Sequence, residues 1–408
     1  MMRLQNNLTG TMSFLQSEHF RINYSLRNPR EGQGRGTSGV SGTGGLIEAY
    51  KDGLEMLYRE LTSSPMSRPE LDQITEVHIL DVASIFPIMS ASFTSEDQDG
   101  VPYIVLPCRT SDPTCEAERQ RALATAVHEA THVFNYRKRP LSSPYSARWG
   151  WFDEALAVLM EMRLITDYRD HFRFLGDWIE KPELSLDSPV ANYQAGQFLA
   201  YLAKRLGVEF VNRVWMESEE RETPLETITR LLSAGPKFAS ADPDESDLFA
   251  SYCLESWFLT DPASRMYAPD LYERYGERAI TESFVLRGCE SVGTNERPEK
   301  KHALDHLACR YYRFYPKDGI KQLSVELHSF DEAGRSPLKA ELAVVTNENR
   351  LGRVIPLRPA LDNTNILVAH VNQVDPHEHD HFILVVTNCG VNHRFDDEKQ
   401  FTIKALAI

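Results

Sequence analysis

The chain has 408 residues, of which 42% are hydrophobic and 25% charged, the composition of a globular protein with room for two or three cored domains. Its 44 basic and 59 acidic side chains leave a net charge of −15, a field that repels nucleic acid and anionic surfaces, so neither is an expected partner. Residues 1–16 hold no signal-like apolar run and no stretch has membrane-spanning length, so membrane insertion is not expected. The six cysteines lack C-x-x-C spacing and read as reduced thiols. Localisation and oligomeric state stay open.

In chain order, residues 17–26 alternate Phe20, Ile22 and Tyr24 with polar residues, the period of a strand. Residues 31–45 contain seven glycines without the G-K-[ST] of a phosphate loop, and read as a mobile loop. Ile47, Tyr50, Leu54, Leu57, Tyr58 and Leu61 recur at helical spacing, predicting a helix over 46–61. A strand follows at 76–80, with His78 a sheet histidine. A turn falls at Asp97-Gln98-Asp99-Gly100, and a short strand at 102–107 is closed by proline at both ends. Proline at both ends fits an edge position, where a missing N–H is tolerated.

Ser111-Asp112-Pro113-Thr114 then marks a helix start, and residues 116–135 contain neither Gly nor Pro. Inside that helix stands His128-Glu129-Ala130-Thr131-His132. Helical residues four apart share a face, so His128 and His132 can offer two imidazoles to one cation, with Leu123, Val127, Ala130 and Phe134 turned away. Glu129 lies beside the open position of such a cation, where it can take a proton from water. Because 13 histidines can produce an H-E-x-x-H by chance, the pattern also needs a third ligand.

The segment Trp151-Phe152-Asp153-Glu154-Ala155-Leu156-Ala157 supplies a carboxylate 22 positions after His132. Together with HEATH (128–132), it resembles the gluzincin superfamily of zinc metallopeptidases. The resemblance covers about residues 120–215 and implies Zn2+ held by His128, His132 and Glu154, with Asp153 as a partner behind the ligands and Glu161 or Asp153 as fallback ligands. Asp153 and Glu154 also suit a helix N-terminus. In the resembled enzymes the strand before the zinc helix is an edge that pairs with substrate backbone. Tyr103–Leu106 is the candidate here, with an ordinary sheet strand as the alternative.

Further on, 191–207 reads as a helix stopped by Gly207 and resembles the Y-x-x-G helix of gluzincin-like proteins. From it, Tyr193 becomes the candidate donor to an oxyanion, with His171 in reserve. Helices are predicted at 225–232 and 247–258. Beyond about residue 295, six short β-branched or aromatic runs (308–315, 322–328, 340–346, 366–371, 381–386 and 401–405) predict an antiparallel sandwich. His377-Glu378-His379-Asp380-His381 reads as a solvated loop tip.

The expected architecture is α+β: a tail (1–16), a gluzincin-type catalytic domain (17–295) with a small mixed sheet and a mainly helical half, and a C-terminal antiparallel β-sandwich (296–408). The expected activity is zinc-dependent hydrolysis of a peptide or protein substrate, with Glu129 as base. The missing G-x-M-E-N amine anchor favours an endopeptidase, although Glu96 or Asp97 could read a free N-terminus instead. Two rivals are a non-catalytic zinc protein whose sandwich binds a partner, and a zinc hydrolase acting on a non-peptide amide.

Overall fold

The computed structural model describes residues 12–25, 39–63, 66, 68, 73–80, 92–108, 115–166, 178–188, 192–234, 245–258, 279–287, 291–294, 302–317, 319–331, 336–348, 350–375, 379–391 and 398–408. The chain is α+β and divides into two compact units, residues 1–171 with 205–224, and residues 172–204 with 225–408.

The first unit opens with β1 (Met12–Gln16) and β2 (Phe20–Ser25), so the expected tail ends in a strand paired antiparallel to the next one. Helix α1 (Gly39–Thr62) begins seven residues before its apolar period does. Glycine weakens helix propensity, which is why a stretch with four glycines in those seven residues reads as loop from sequence. Strands β3 (Thr75–Leu80), β4 (Phe93–Glu96) and β5 (Pro102–Pro107) complete a mixed sheet in the order β1-β2-β3-β5-β4. The proline-bounded strand is therefore interior, with β1 and β4 as the edges, which corrects the expected edge placement and leaves the ordinary-strand alternative. β4 and β5 form a hairpin closed by the predicted turn: Asp97 Oδ1 accepts from the Asp99 and Val101 N–H groups, and Gly100 takes a positive φ of 75°.

Helices α2 (Glu116–Lys138) and α3 (Ser146–Leu164) follow. The predicted cap at 111–114 lies outside the described residues, and Glu116 and Glu118 place negative charge in the first turn of α2. From Ala126 to Asn135 every residue of α2 is buried, so both its apolar face and its histidine face are enclosed. α1 presses closely on it: a Cβ at Gly53 would stand 2.8 Å from the Leu123 carbonyl oxygen and 2.9 Å from the Ala126 Cβ. Only glycine fits that crossing without a shift.

Helix α4 (Ala195–Leu206), most of it in the second unit, is stopped by Gly207 at φ 92°, and α5 (Val208–Met216) follows in the first. Trp215 packs edge-on against Trp149 of α3 with ring centroids 5.2 Å apart, and Arg139 hydrogen-bonds Ser218 at 3.0 Å. The returning segment is thus part of the first unit's core.

The second unit contains helices α6 (Pro224–Ala234) and α7 (Glu245–Trp257) and two sheets. Its strands are β6 (Ile280–Leu286), β7 (Ser291–Gly293), β8 (Ala303–Leu304), β9 (Ala308–Pro316), β10 (Leu323–Ser329), β11 (Leu338–Thr346), β12 (Leu351–Pro356), β13 (Arg358–Ala360), β14 (Asn363–Val371), β15 (His379–Asn388) and β16 (Lys399–Ala407). One sheet runs β13-β14-β10-β16-β7, with β8 also on β16, and the other runs β12-β11-β15-β9-β6. Val325, Leu342, Phe382 and Ile403, drawn from both sheets, share one buried core.

All six predicted runs are strands. The sheets nevertheless begin upstream of residue 296, at β6 and β7, and β6 pairs parallel to β9 rather than antiparallel. Such pairings join residues distant in sequence and leave no local signature. The expected loop tip at 377–381 is also corrected in part: β15 starts at His379, and His381 is buried with Nδ1 2.7 Å from Asp380 Oδ2. His377 and Glu378 lie outside the described residues.

Candidate metal centre

α2 and α3 run antiparallel where they meet, so residues late in α3 face residues early in α2. Glu161 Oε1 stands 2.5 Å from Nδ1 of His128, and Asp153 Oδ2 stands 2.9 Å from Nδ1 of His132, one turn further along α2. Each imidazole is thereby held by a carboxylate on its inner nitrogen, and an Nδ1–H donated there leaves Nε2 as the acceptor.

Both outer nitrogens turn towards Glu154. Its Oε2 is 3.1 Å from His128 Nε2 and 3.7 Å from His132 Nε2. Glu154 and Glu161 are seven residues apart, about two helical turns, so they share the α3 face that brackets His128 from its two sides. The ligand atoms of His128, His132 and Glu154 all lie within 4.8 Å of one another, the one such cluster of metal-capable side chains among the described residues. Two imidazoles and one carboxylate fit a zinc ion with one position left open.

Electrostatics point the same way. Burial disfavours protonated His128, yet the hydrogen bonds to Glu154 and Glu161 outweigh it and push its pKa up to about 10. His132 is likewise raised despite burial, by the charge and hydrogen bond of Asp153. Glu154 is held well below the usual carboxylate range, because its hydrogen bonds to both histidines overcome the opposing effect of burial. The cluster is built to hold positive charge.

The surroundings are tied down in turn. Asn135 Nδ2 donates to Asp153 Oδ1 at 2.6 Å, and the buried Arg68 donates at 2.7 Å to Asn135 Oδ1 and at 2.7 Å to Asn212 Oδ1. Glu129 lies next to His128 on α2, and the Thr94 hydroxyl of β4 stands 2.8 Å from its Oε2 and 2.9 Å from its backbone oxygen. Tyr136 stacks on His132 at 5.8 Å and 22°. Burial, followed by the charges of Asp153, Glu154, Glu129 and Glu96, raises its pKa and keeps the phenol protonated.

The first unit thus brings together His128, Glu129, His132 and Glu154. Asp153 and Glu161, the fallback ligands, stand behind the imidazoles. Tyr193 belongs to the second unit, exposed at the turn before α4, and His171 lies outside the described residues. Thr94, Tyr136 and Arg68 escape sequence reasoning. Tyr136 alone left a trace, standing four residues after His132 and so on the ligand face of the helix.

Residues 111–237, which include both histidines, Glu129, Glu154 and Tyr193, match DUF6055, a family of unknown function. No curated protein matches the chain. Among solved structures, one similar chain is a family GH115 4-O-methyl-α-glucuronidase with specificity for decorated arabinogalactans, at 9% identity and a TM-score of 0.18. The likeness covers 72% of this chain and spans about a third (33%) of that enzyme, and at this TM-score it carries no argument.

Proposed function

We propose that the first unit is a zinc-dependent peptide hydrolase of the gluzincin type. One observation carries the reading: two imidazoles, each fixed on Nδ1 by a carboxylate, turn Nε2 towards Glu154, with Glu129 adjacent and held by Thr94. A zinc ion held by His128, His132 and Glu154 supplies Lewis acidity, which brings the pKa of a water near neutrality and polarises a carbonyl.

The chain's own residues do the rest. Glu129 accepts the water's proton and can later pass it to the departing amine nitrogen. Thr94 fixes the rotamer of that carboxylate. Asp153 and Glu161 hold the imidazole tautomers, and Asn135 and Arg68 hold Asp153. Tyr136 is the phenol we assign to the developing oxyanion, since it shares the ligand helix and stays protonated. β4 is an edge of its sheet among the described residues, and a substrate strand added to it would pair beside Glu129.

The test is zinc content together with peptide-library cleavage of the full chain and its Glu129→Gln variant. Zinc in both proteins with cleavage by only the first supports the reading. Zinc with no cleavage by either favours the non-catalytic or non-peptide alternative.

A further inference from the structure

We propose that the second unit binds the C-terminal end of a peptide whose last residue is aliphatic, in a cavity where the chain crosses from one of its sheets to the other. The site belongs to a different unit from the metal centre, and its assignment does not depend on the hydrolase reading.

The first ground is space. β12 pairs with β11 in one sheet and β13 pairs with β14 in the other, so residues 356–358 carry the chain across. A cavity of about 580 Å³ lies there, within the range of roughly 300–1,000 Å³ that ligand pockets occupy. Leu327, Leu338 and Leu357 line it and also belong to the buried core that the two sheets share, so its apolar wall continues that interior. An aliphatic side chain is the group that such a wall accepts.

The second ground is an uncovered backbone edge. β12 pairs with β11 only from Glu341 onward, and the Leu357 N–H closes that side at the Ala340 carbonyl. On the other side, the Cys389 N–H donates to the Pro337 carbonyl. In the alternation of an antiparallel ladder, Leu338 therefore turns its own C=O away from β15, to the side where β12 has ended. No strand covers that side of Leu338 among the described residues. An added peptide can pair an N–H with this carbonyl. A fatty acid, the other carboxylate with an aliphatic body, has no N–H to give.

The third ground is charge. Lys339, Arg358 and Glu341 also line the cavity, two cations and one anion, a local positive surplus in a chain whose net charge is −15. Lys339 and Glu341 stand two apart on β11, so they project from the same face and offset one another. Arg358 is exposed and remains as the group that meets an incoming anion. A guanidinium takes a carboxylate through two parallel N–H bonds, which makes a free chain end the matching partner.

The experiment uses the full chain carrying Glu129→Gln, so that no peptide is cut, and an N-terminally labelled peptide ending in a free-carboxylate Leu, read by fluorescence anisotropy. The comparison forms are the same peptide as a C-terminal amide and the same peptide ending in Ser, with decanoate as competitor. The Leu carboxylate form should bind about tenfold or more tighter than either, and decanoate should displace it about tenfold or more less effectively than unlabelled peptide does. Arg358→Gln should remove the preference for carboxylate over amide, with melting temperature unchanged. Amide hydrogen exchange should slow at residues 338–340 when the peptide binds. No binding, equal binding of acid and amide, indifference to the last residue, a preference that survives Arg358→Gln, or protection confined to the first unit overturns the proposal. Displacement by decanoate as effective as by peptide overturns it in favour of a fatty acid. None of these outcomes bears on the hydrolase reading, which zinc content and cleavage test separately.

Discussion

Glu161 approaches His128 from the side of the ring opposite Glu154, with Oε1 2.5 Å from Nδ1. An acid on the inner nitrogen fixes the ring and raises its basicity without occupying a metal position. Replacing Glu161 or Asp153 should therefore differ in kind from replacing a ligand. Glu161→Gln and Asp153→Asn are expected to weaken zinc affinity by about 10–100-fold. His128→Ala, His132→Ala and Glu154→Ala should prevent stoichiometric loading, and His379→Ala should change nothing. Zinc titration against a competing chelator measures all six. Full affinity in Glu154→Ala would end the gluzincin assignment.

Glu129→Gln keeps the shape of the side chain and removes the proton acceptor. Turnover should fall by about 100–10,000-fold with zinc retained. Thr94→Val removes one hydrogen bond to that carboxylate, so the loss in kcat should be about tenfold or less, the equivalent of a single bond. Steady-state kinetics on one peptide substrate check both, and undiminished turnover in Glu129→Gln would sink the mechanism.

The oxyanion donor can be assigned by comparing two phenols. Tyr136→Phe should lower kcat and kcat/KM together by about 100-fold, with zinc content unchanged. Tyr193→Phe should leave both within a small factor. The reverse pattern would return the role to Tyr193.

The pH dependence follows from the histidines and Glu154. When no cation is bound, His128 has its pKa raised from 6.5 to about 10, so its interactions stabilise the fold fully below pH 6.5 and are lost as pH rises through 10. Glu154 is depressed from 4.5, so its contribution is present above that pH and is lost as pH falls further. Chelator-treated protein should therefore gain most from this cluster between about pH 4.5 and 6.5. Zinc displaces the protons, so its affinity should climb from pH 6 to 8. Melting temperatures with and without chelator across pH 3–10 test both signs.

Much of the site was legible because α2 and α3 carry it within 40 residues and the H-E-x-x-H spacing is itself helical geometry. Glu154, Asp153 and Glu161 were all singled out, but their division of labour depends on how two helices cross, which no single-chain periodicity records. Proline at both ends makes Pro102–Pro107 look like an edge as readily as an ordinary strand; the edge beside the site, Phe93–Glu96, is only four residues long and half-buried throughout. The six C-terminal runs were clear, as alternation and β-branching mark them locally. β6 and the return of 205–224 to the first unit were not, since both depend on contacts made far away in sequence.

That return has a consequence for the order in which the protein matures. Arg68 is enclosed, and its guanidinium is shared between Asn135 beside the cluster and Asn212 on α5, whose own amide holds the Met66 carbonyl at 2.5 Å. Until Asn212 has left the ribosome, Arg68 has only part of its partners, and burying it would strand a charge at a cost of several kcal/mol. The nascent chain can therefore display HEATH and WFDEALA well before it can close the fold around them. A fragment ending at residue 171 should carry the ligand sequence and yet exchange its α2 amide protons rapidly.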